Sequence, residues 1–381
     1  MPTLECDLAI AGAGILGLAH AWAAAKRGLR VAVFERSAQA AGASVRNFGM
    51  IWPIGQPAGK QHDLAMTSRR LWLEVLETAR LPRNETGSLH LTYEADEEAV
   101  AREFAETAPG LGYDCSWKTP AEVLELSPAA QPAGLRGALW SASEFTVDPR
   151  SVICRLPQYL AEAYGVRFHF GTAMRAVEGT TVVAGADTWR ADATIVCGGD
   201  DFESLFPHEF QGSGITRCKL QMLRTAPQPA GWRLGPSLAA GLSLRFYHSF
   251  RLCTTLPALS ARISAEMPEY ERWQIHVMAS ATGDGAITLG DSHEYGLAVD
   301  AFNKSEIDEL ILDYAAGFLR LPEWAIAQRW HGVYAKHPEK PVVRLAPAAN
   351  VRIVTAPGGA GMTLSFGIAE ETLHEMRGKV G

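Results

Sequence analysis

The stretch Leu8-Ala9-Ile10-Ala11-Gly12-Ala13-Gly14-Ile15-Leu16-Gly17 decides the fold. Its apolar start reads as a strand, and its three glycines as a tight turn into a helix. A run poor in charge continues to Arg27, and Gly28 ends it. A second apolar run spans Val31 to Phe34, with Glu35 directly after it. Strand, Gly-rich turn, helix, strand and acid in this order open a dinucleotide-binding βαβ unit. Gly12 permits the turn, Gly14 lets the backbone approach a pyrophosphate, and Gly17 lets helix and strand pack closely. The helix start offers free N–H groups and partial positive charge to phosphates. Glu35 lies about 20 residues on, where an acid reaches ribose hydroxyls.

The rest of the chain bounds this reading. At 381 residues it exceeds the usual single-core size, so two domains are expected. Apolar content of 47% with 20% charged residues is that of a soluble globular protein. A net charge of −7 speaks against nucleic-acid and anionic-membrane partners. Leu8 to Ala25 lacks acidic and basic residues apart from His20. The turn-spaced glycines make it a buried strand and helix, not a membrane span or signal. The six cysteines are scattered, with no CxxC pair, as in a cytoplasmic protein with reduced thiols, and no metal site is expected.

Further along, helical spacing predicts helices over Gln61–Ala79, Ala95–Thr107, the run from Pro149 to Tyr164, Lys304–Leu319 and Met362–Met376. Thr119 is a candidate N-cap. Strands are expected at Thr86–Tyr93, Gly165–Phe170, Ala193–Gly199 and Val351–Thr355. From Gln221 to Gly296 short alternating runs, among them Leu242–Phe250, Gln274–Ala279 and Gly285–Gly290, suggest an antiparallel sheet. The chain ends as it began, with strand, Gly-rich turn and helix.

These motifs recur in a known order: the GAGILG turn with Glu35, GAS at 42–44, DPR at 148–150, IVCGG at 195–199 and GGAGMT at 358–363. The chain resembles the superfamily of FAD-dependent D-amino-acid, glycine and sarcosine oxidases along nearly its whole length. The resemblance implies an α/β fold: a Rossmann-like FAD-binding domain of glutathione-reductase/p-hydroxybenzoate-hydroxylase type, and a substrate domain with a mixed, largely antiparallel sheet. The FAD domain would comprise 1–86, 148–216 and 331–381, and the substrate domain 87–147 and 217–330. HGVYAKHP (331–338), GDSHEYG (290–296) and GGAGMTLSFG (358–367) look like one clade associated with aminophosphonate catabolism.

By resemblance, Gly12, Gly14, Ile15, Leu16 and Gly17 would hold the pyrophosphate, and Glu35 and Arg36 the adenosine ribose. Ala43, Ser44, Arg46 and Asn47 would lie along the ribityl chain and ring. Met174 would meet adenine through its backbone, and Gly198 and Gly199 would pass close by. Gly358, Gly359, Ala360, Gly361, Met362 and Thr363 would face the flavin N1–C2=O edge.

Departures from the family bear on substrate. Amino-acid oxidases of this kind clamp the substrate carboxylate with an arginine shortly after a Trp–Gly step. Here Tyr334 stands at that position, and Lys336 and His337 are the nearby polar groups. The bidentate carboxylate fork is missing, and a lysine serves a phosphonate as a point charge. Gly332 occupies the place where some relatives attach flavin to cysteine, so FAD is expected to be non-covalent. Thr288 stands where those relatives carry a lysine that promotes reaction with oxygen. Oxygen is the expected electron acceptor, with another acceptor left open.

The expected reaction is oxidation of a small anionic amine, an N-methylated or hydroxylated 2-aminoethylphosphonate, by hydride transfer to flavin N5 and hydrolysis of the imine to an aldehyde. Tyr334, Lys336, Tyr247, His248 and His293 are the candidates at the substrate. Glu294 and His337 are further candidates for tuning the amine proton, and Arg46 and Arg245 for holding the anion. The alternatives are a glycine, sarcosine or D-amino-acid oxidase and, from another class, a non-catalytic FAD- or NAD-binding protein. A flavin hydroxylase fits less well, because no second GxGxxG is present to bind a nicotinamide. Oligomeric state is not legible.

Overall fold

A computed structural model describes residues 4–376 and contains two large sheets. The first has Leu4–Ala11 at its centre. This strand pairs in parallel with Val31–Glu35 on one side and Asp187–Val196 on the other. Arg167–Phe170 and Val351–Thr355 extend the parallel order outward. Val343–Leu345 closes one edge antiparallel, and the hairpin Met174–Glu178/Thr181–Ala184 hangs from Asp187–Val196. The central strands are buried on both faces, which accounts for their continuous apolar runs.

The helix Ile15–Ala25 is buried almost all round. That is why it carries no charge: helices Pro149–Tyr164 and Gly361–Glu375 pack on it, and Lys60–Thr78 packs on Gly361–Glu375. Phe366 lies edge-on between Trp22 and Trp72, with ring centroids 5.3 and 4.7 Å away. The Trp72 Nε1–H donates to the Met362 carbonyl at 2.7 Å, pinning the start of the last helix.

The second sheet is mixed and mostly antiparallel. Its order runs Glu294–Gly296, Thr216–Thr225, Ile287–Gly290, Met278–Ala281, Ser237–Ala239, Ser88–Thr92, Gly137–Ser141 and Cys115–Lys118. Ser237–Ala239 with Ser88–Thr92 is its parallel pair. The eleven-residue strand Ile326–Lys336 also pairs with Thr216–Thr225. The expected domain boundaries at 216/217 and 330/331 fall within these two paired strands.

One reading of the sequence is corrected here, and one strand is added. Leu242–Phe250 is not a strand: Gly241–Phe246 is a short helix, and a 3₁₀ turn follows over His248–Leu252. Leu242, Leu244 and Phe250 are all buried in one cluster. A period of two over so short a run does not distinguish a strand from a helix buried on most sides. Ile326–Lys336 escaped notice because Gln328, Arg329 and His331 break its apolar pattern. At other elements the ends move by a few residues, as at Lys60–Thr78, while Ala95–Thr107 lies where the pattern put it. Thr119 caps its helix with a capping box to Glu122.

Candidate functional site

One cavity of about 1040 Å³ runs from the ends of the parallel strands to the face of the second sheet. Every expected cofactor residue lines it except Gly17. Gly17 faces inward: a Cβ there would lie 1.9 Å from the Gly12 carbonyl oxygen, so it serves close helix–strand packing. Gly12 has φ of +96°, and its Cβ would meet the Cys197 carbonyl oxygen at 2.4 Å. Gly14 differs, because its Cβ would meet no backbone and only the Ser44 hydroxyl at 3.0 Å. The cavity therefore approaches bare backbone at Gly14.

The electrostatics there suit an anion. Helix Ile15–Ala25 has no acid in its first turn and no side-chain cap at Gly14. Ser44 Oγ takes the Ile15 N–H at 2.9 Å and so fixes the Ala43–Val45 turn against the helix start. Glu35 accepts the Ala13 N–H and the Ser37 N–H, both at 2.9 Å, which holds its carboxylate at the cavity edge. Helix Gly361–Glu375 likewise begins on the cavity with no first-turn acid and no side-chain cap. Two helix starts converging on one long cavity fit a pyrophosphate at one end and an electron-rich ring edge at the other.

Several expected cofactor side chains are already engaged. The Asn47 amide donates to the Ala43 and Ser44 carbonyls and accepts the Gly49 N–H, so it builds the turn. Arg36 pairs with Asp201 at 2.7 Å. Thr363 lines the cavity, and its Oγ1 accepts the buried Trp52 N–H at 2.9 Å. Arg46 donates to the His331 carbonyl. Ala43, Met174, Gly198, Gly199 and the segment Gly358–Met362 line the wall as backbone or apolar surface.

At the far end all five expected substrate residues line the cavity. Lys336 is half-buried; its ammonium donates to the Tyr295 hydroxyl at 3.0 Å and lies 4.8 Å from that ring's centre. Burial lowers its pKa, and the nearby Cys218 and Asp291 oppose this. The first carbon of any side chain at Gly359 would come within 3.5 Å of the Tyr334 hydroxyl, so Tyr334 sits against the start of the last helix. Burial raises the Tyr334 and Tyr247 phenols well above the ordinary tyrosine range. The Tyr247 hydroxyl donates to Met278 Sδ at 3.2 Å. His248 is exposed at the rim.

Three lesser candidates are spent elsewhere. Nδ1 of His337 accepts the N–H groups of Glu339 and Lys340, so that ring shapes a turn. Glu294 pairs with Lys304 at 2.6 Å and Lys219 at 3.6 Å. Arg245 is on the cavity but pairs with Glu271 at 3.1 Å.

Residues that went unnoticed complete the wall. His276 and Asp291 join His293 in a buried cluster, with Asp291 Oδ1 at 3.2 Å from His276 Nε2 and 3.9 Å from His293 Nε2. Phe246 stacks on His276 at 3.8 Å. The GDSHEYG motif contained Asp291, but nothing in the sequence brings His276, fifteen positions earlier, to its side.

The family described as FAD dependent oxidoreductase matches residues 7–374, and the chain belongs to it. It is 27% identical over 210 residues to glycine oxidase of Geobacillus kaustophilus, a match covering 52% of this chain and 55% of that protein. The chain thus matches little more than half the length of that relative. The crystal structure of the same glycine oxidase superposes with a TM-score of 0.77 at 19% identity, over 98% of this chain and 95% of that one. L-Proline dehydrogenase from P. horikoshii gives 0.78 at 19% identity, over 100% and 95%. These likenesses establish the fold, and family membership establishes FAD as the cofactor.

Proposed function

We propose that this FAD-dependent oxidoreductase oxidises a small amine that carries an anionic group, with an aminophosphonate as the preferred class. The observation that carries the reading is the Lys336 ammonium, held on the cavity wall by the Tyr295 hydroxyl and two positions from Tyr334, where an arginine fork for a carboxylate would be expected. A lone ammonium suits a tetrahedral anion better than a planar carboxylate that wants two parallel N–H donors. N-Methylated or hydroxylated 2-aminoethylphosphonate fits this description. Glycine, sarcosine or D-amino-acid oxidation is the second reading, favoured by the partial match to glycine oxidase.

When bound, FAD accepts the two electrons and hydrogen from the carbon next to nitrogen. The chain's own groups do the rest. The glycines at 12 and 14 and the first turn of helix Ile15–Ala25 would hold the pyrophosphate, and Glu35 the ribose. The start of helix Gly361–Glu375 would supply a positive field to the ring. Lys336, Tyr334 and Tyr247 orient the substrate, and the apolar walls Trp52, Leu242 and Met278 exclude water from the transfer. Water then hydrolyses the imine to aldehyde and amine. The segments 1–86, 148–216 and 331–381 serve the cofactor, and 87–147 and 217–330 the substrate. FAD is held without a covalent bond, since Gly332 leaves no thiol at the attachment point; acid should release it intact. Oxygen is the proposed acceptor.

The test is anaerobic mixing of the yellow protein with aminophosphonates, glycine, sarcosine and D-amino acids, following bleaching at about 450 nm. Aminophosphonates should bleach it at the lowest concentration. Faster bleaching by an amino acid selects the second reading, and no bleaching by any amine rejects both.

A further inference from the structure

We propose that Asp291, His293 and His276 form the subsite that receives the substrate's ammonium group and takes its proton. The proposal rests on the amine-oxidising reading above and adds where the nitrogen binds. The cluster is rigid: the backbone N–H of His276 donates to the Asp291 carbonyl, and that of Asp291 to the His276 carbonyl, at 3.2 and 2.8 Å. The His293 N–H donates to the Trp273 carbonyl at 2.8 Å. Phe246 packs on both rings, at 3.8 and 4.6 Å between centroids.

The proton positions follow from the partners. Nδ1 of His293 lies 3.0 Å from the Gln274 carbonyl oxygen, which can only accept, so Nδ1 carries the hydrogen. Burial keeps this ring neutral by lowering its pKa to about 4. Its Nε2 therefore presents a lone pair, and it faces Asp291 Oδ1, another acceptor, at 3.9 Å. That oxygen is buried and has no hydrogen-bond donor in line among the described residues. His276 Nε2, at 3.2 Å, approaches it off axis. Two acceptors, fixed and facing each other, lack a donor between them, which is costly to leave so. All three residues line the cavity, so a donor would reach the cluster from that side.

An alkylammonium supplies what is missing. It carries positive charge and up to three N–H donors. One N–H bond breaks, the proton passes to the Asp291 carboxylate while His293 Nε2 accepts a second N–H, and the electron pair stays on nitrogen. The amine is then neutral, as removal of hydrogen from its carbon requires. The other groups facing the cluster are Lys336, Tyr247, Tyr295, Tyr334 and Cys218. Burial holds the phenols and the thiol protonated, and Lys336 is the neighbouring cation. The Tyr295 ring stacks on His293 at 6.2 Å while its hydroxyl receives Lys336, so one tyrosine separates the acceptor pair from the cation. A zwitterion with ammonium and anion at opposite ends matches that polarity.

The test uses the FAD-loaded protein and its visible spectrum as the reporter of binding. The probes are 2-aminoethylphosphonate, propylamine, and ethylphosphonate, which lacks the nitrogen. Asp291→Asn should weaken both amines about 10-fold or more and leave ethylphosphonate within about 2-fold. His293→Gln should do the same to a smaller degree. In stopped flow, Asp291→Asn should move the half-maximal rate of flavin bleaching to higher pH, since free amine must then be supplied by solution. Equal weakening of all three probes, no weakening, or failure of the wild type to bind any amine overturns the subsite. A stoichiometric divalent metal that Asp291→Asn loses overturns it too, in favour of a metal centre. If the wild type binds amines through Asp291 but no amine bleaches its flavin, the subsite stands and the oxidase reading falls.

Discussion

Single residues divide the Gly-rich turn into two kinds of work. Gly12 and Gly17 are needed by the fold, because any Cβ there strikes backbone at 2.4 and 1.9 Å. Gly14 is different, since its Cβ would meet only the Ser44 hydroxyl beside the cavity, and on the proposed reading it serves the ligand. Gly14→Val should therefore yield folded protein with flavin content reduced at least about 10-fold, whereas Gly17→Ala should fail to fold. Flavin-to-protein absorbance with circular dichroism checks both, and a yellow Gly14→Val protein would refute the assignment. Lys336 makes a different kind of test. Removing one charge-assisted contact costs about 1.5–3 kcal/mol, or roughly 10- to 150-fold in affinity. Lys336→Ala should raise KM for an aminophosphonate by that range, spare propylamine, and leave the flavin in place. Equal loss for both amines would mean that Lys336 only supports Tyr295.

Secondary-structure elements meet at the segment Trp52–Gly55, which ties the two sheets to the last helix. Thr363 Oγ1 accepts its Trp52 N–H, and Glu144 accepts the Ile54 N–H and the Ser88 hydroxyl. Thr363→Val keeps the shape but leaves a buried N–H without an acceptor, a cost of about 1–3 kcal/mol. The thermal midpoint should drop by several degrees with weaker flavin retention, and Thr363→Ser should restore both. An unchanged midpoint would show that the Trp52 N–H is not buried in solution. At this scale the sequence was informative where patterns are local. The helix Ala95–Thr107, the cap at Thr119 and the turn at Gly12–Gly17 each depend on neighbours within a few positions. The cavity wall at Gly12–Leu16 and Gly358–Met362 was legible because such turns present it. The far wall was not, because His276 and Asp291 meet through backbone hydrogen bonds just beyond two paired strands, and long-range pairing leaves no periodic trace. The misread helix Gly241–Phe246 belongs to the same wall.

Across the whole molecule, three buried histidines set how stability depends on pH. Burial lowers His20 and His293 to about 4 and His90 to about 3, all from an unfolded value near 6.5. Their effect is complete above pH 6.5, where both states are neutral. Below it the unfolded chain takes up protons that the native one refuses, so stability is lost progressively as pH falls toward 4. Each histidine contributes a slope of at most about 1.4 kcal/mol per pH unit, so together about 4, against a total stability of about 5–15 kcal/mol. The buried carboxyls Glu97 and Glu144 run the other way, because burial raises their pKa and the native state takes up their protons first. His90 offers the cleanest test: among the described residues both ring nitrogens are buried without partners, between Trp52 and Phe250, and it does not line the cavity. His90→Leu, close in volume, should be near neutral at pH 7.5 in urea unfolding. Between pH 6 and 5 it should unfold at a higher urea midpoint than the wild type, with the gap widening by up to about 1.4 kcal/mol per unit. Midpoints that fall in parallel for the two proteins would show that His90 is already protonated in the native state, and that its packing against two aromatic rings does not exclude the charge.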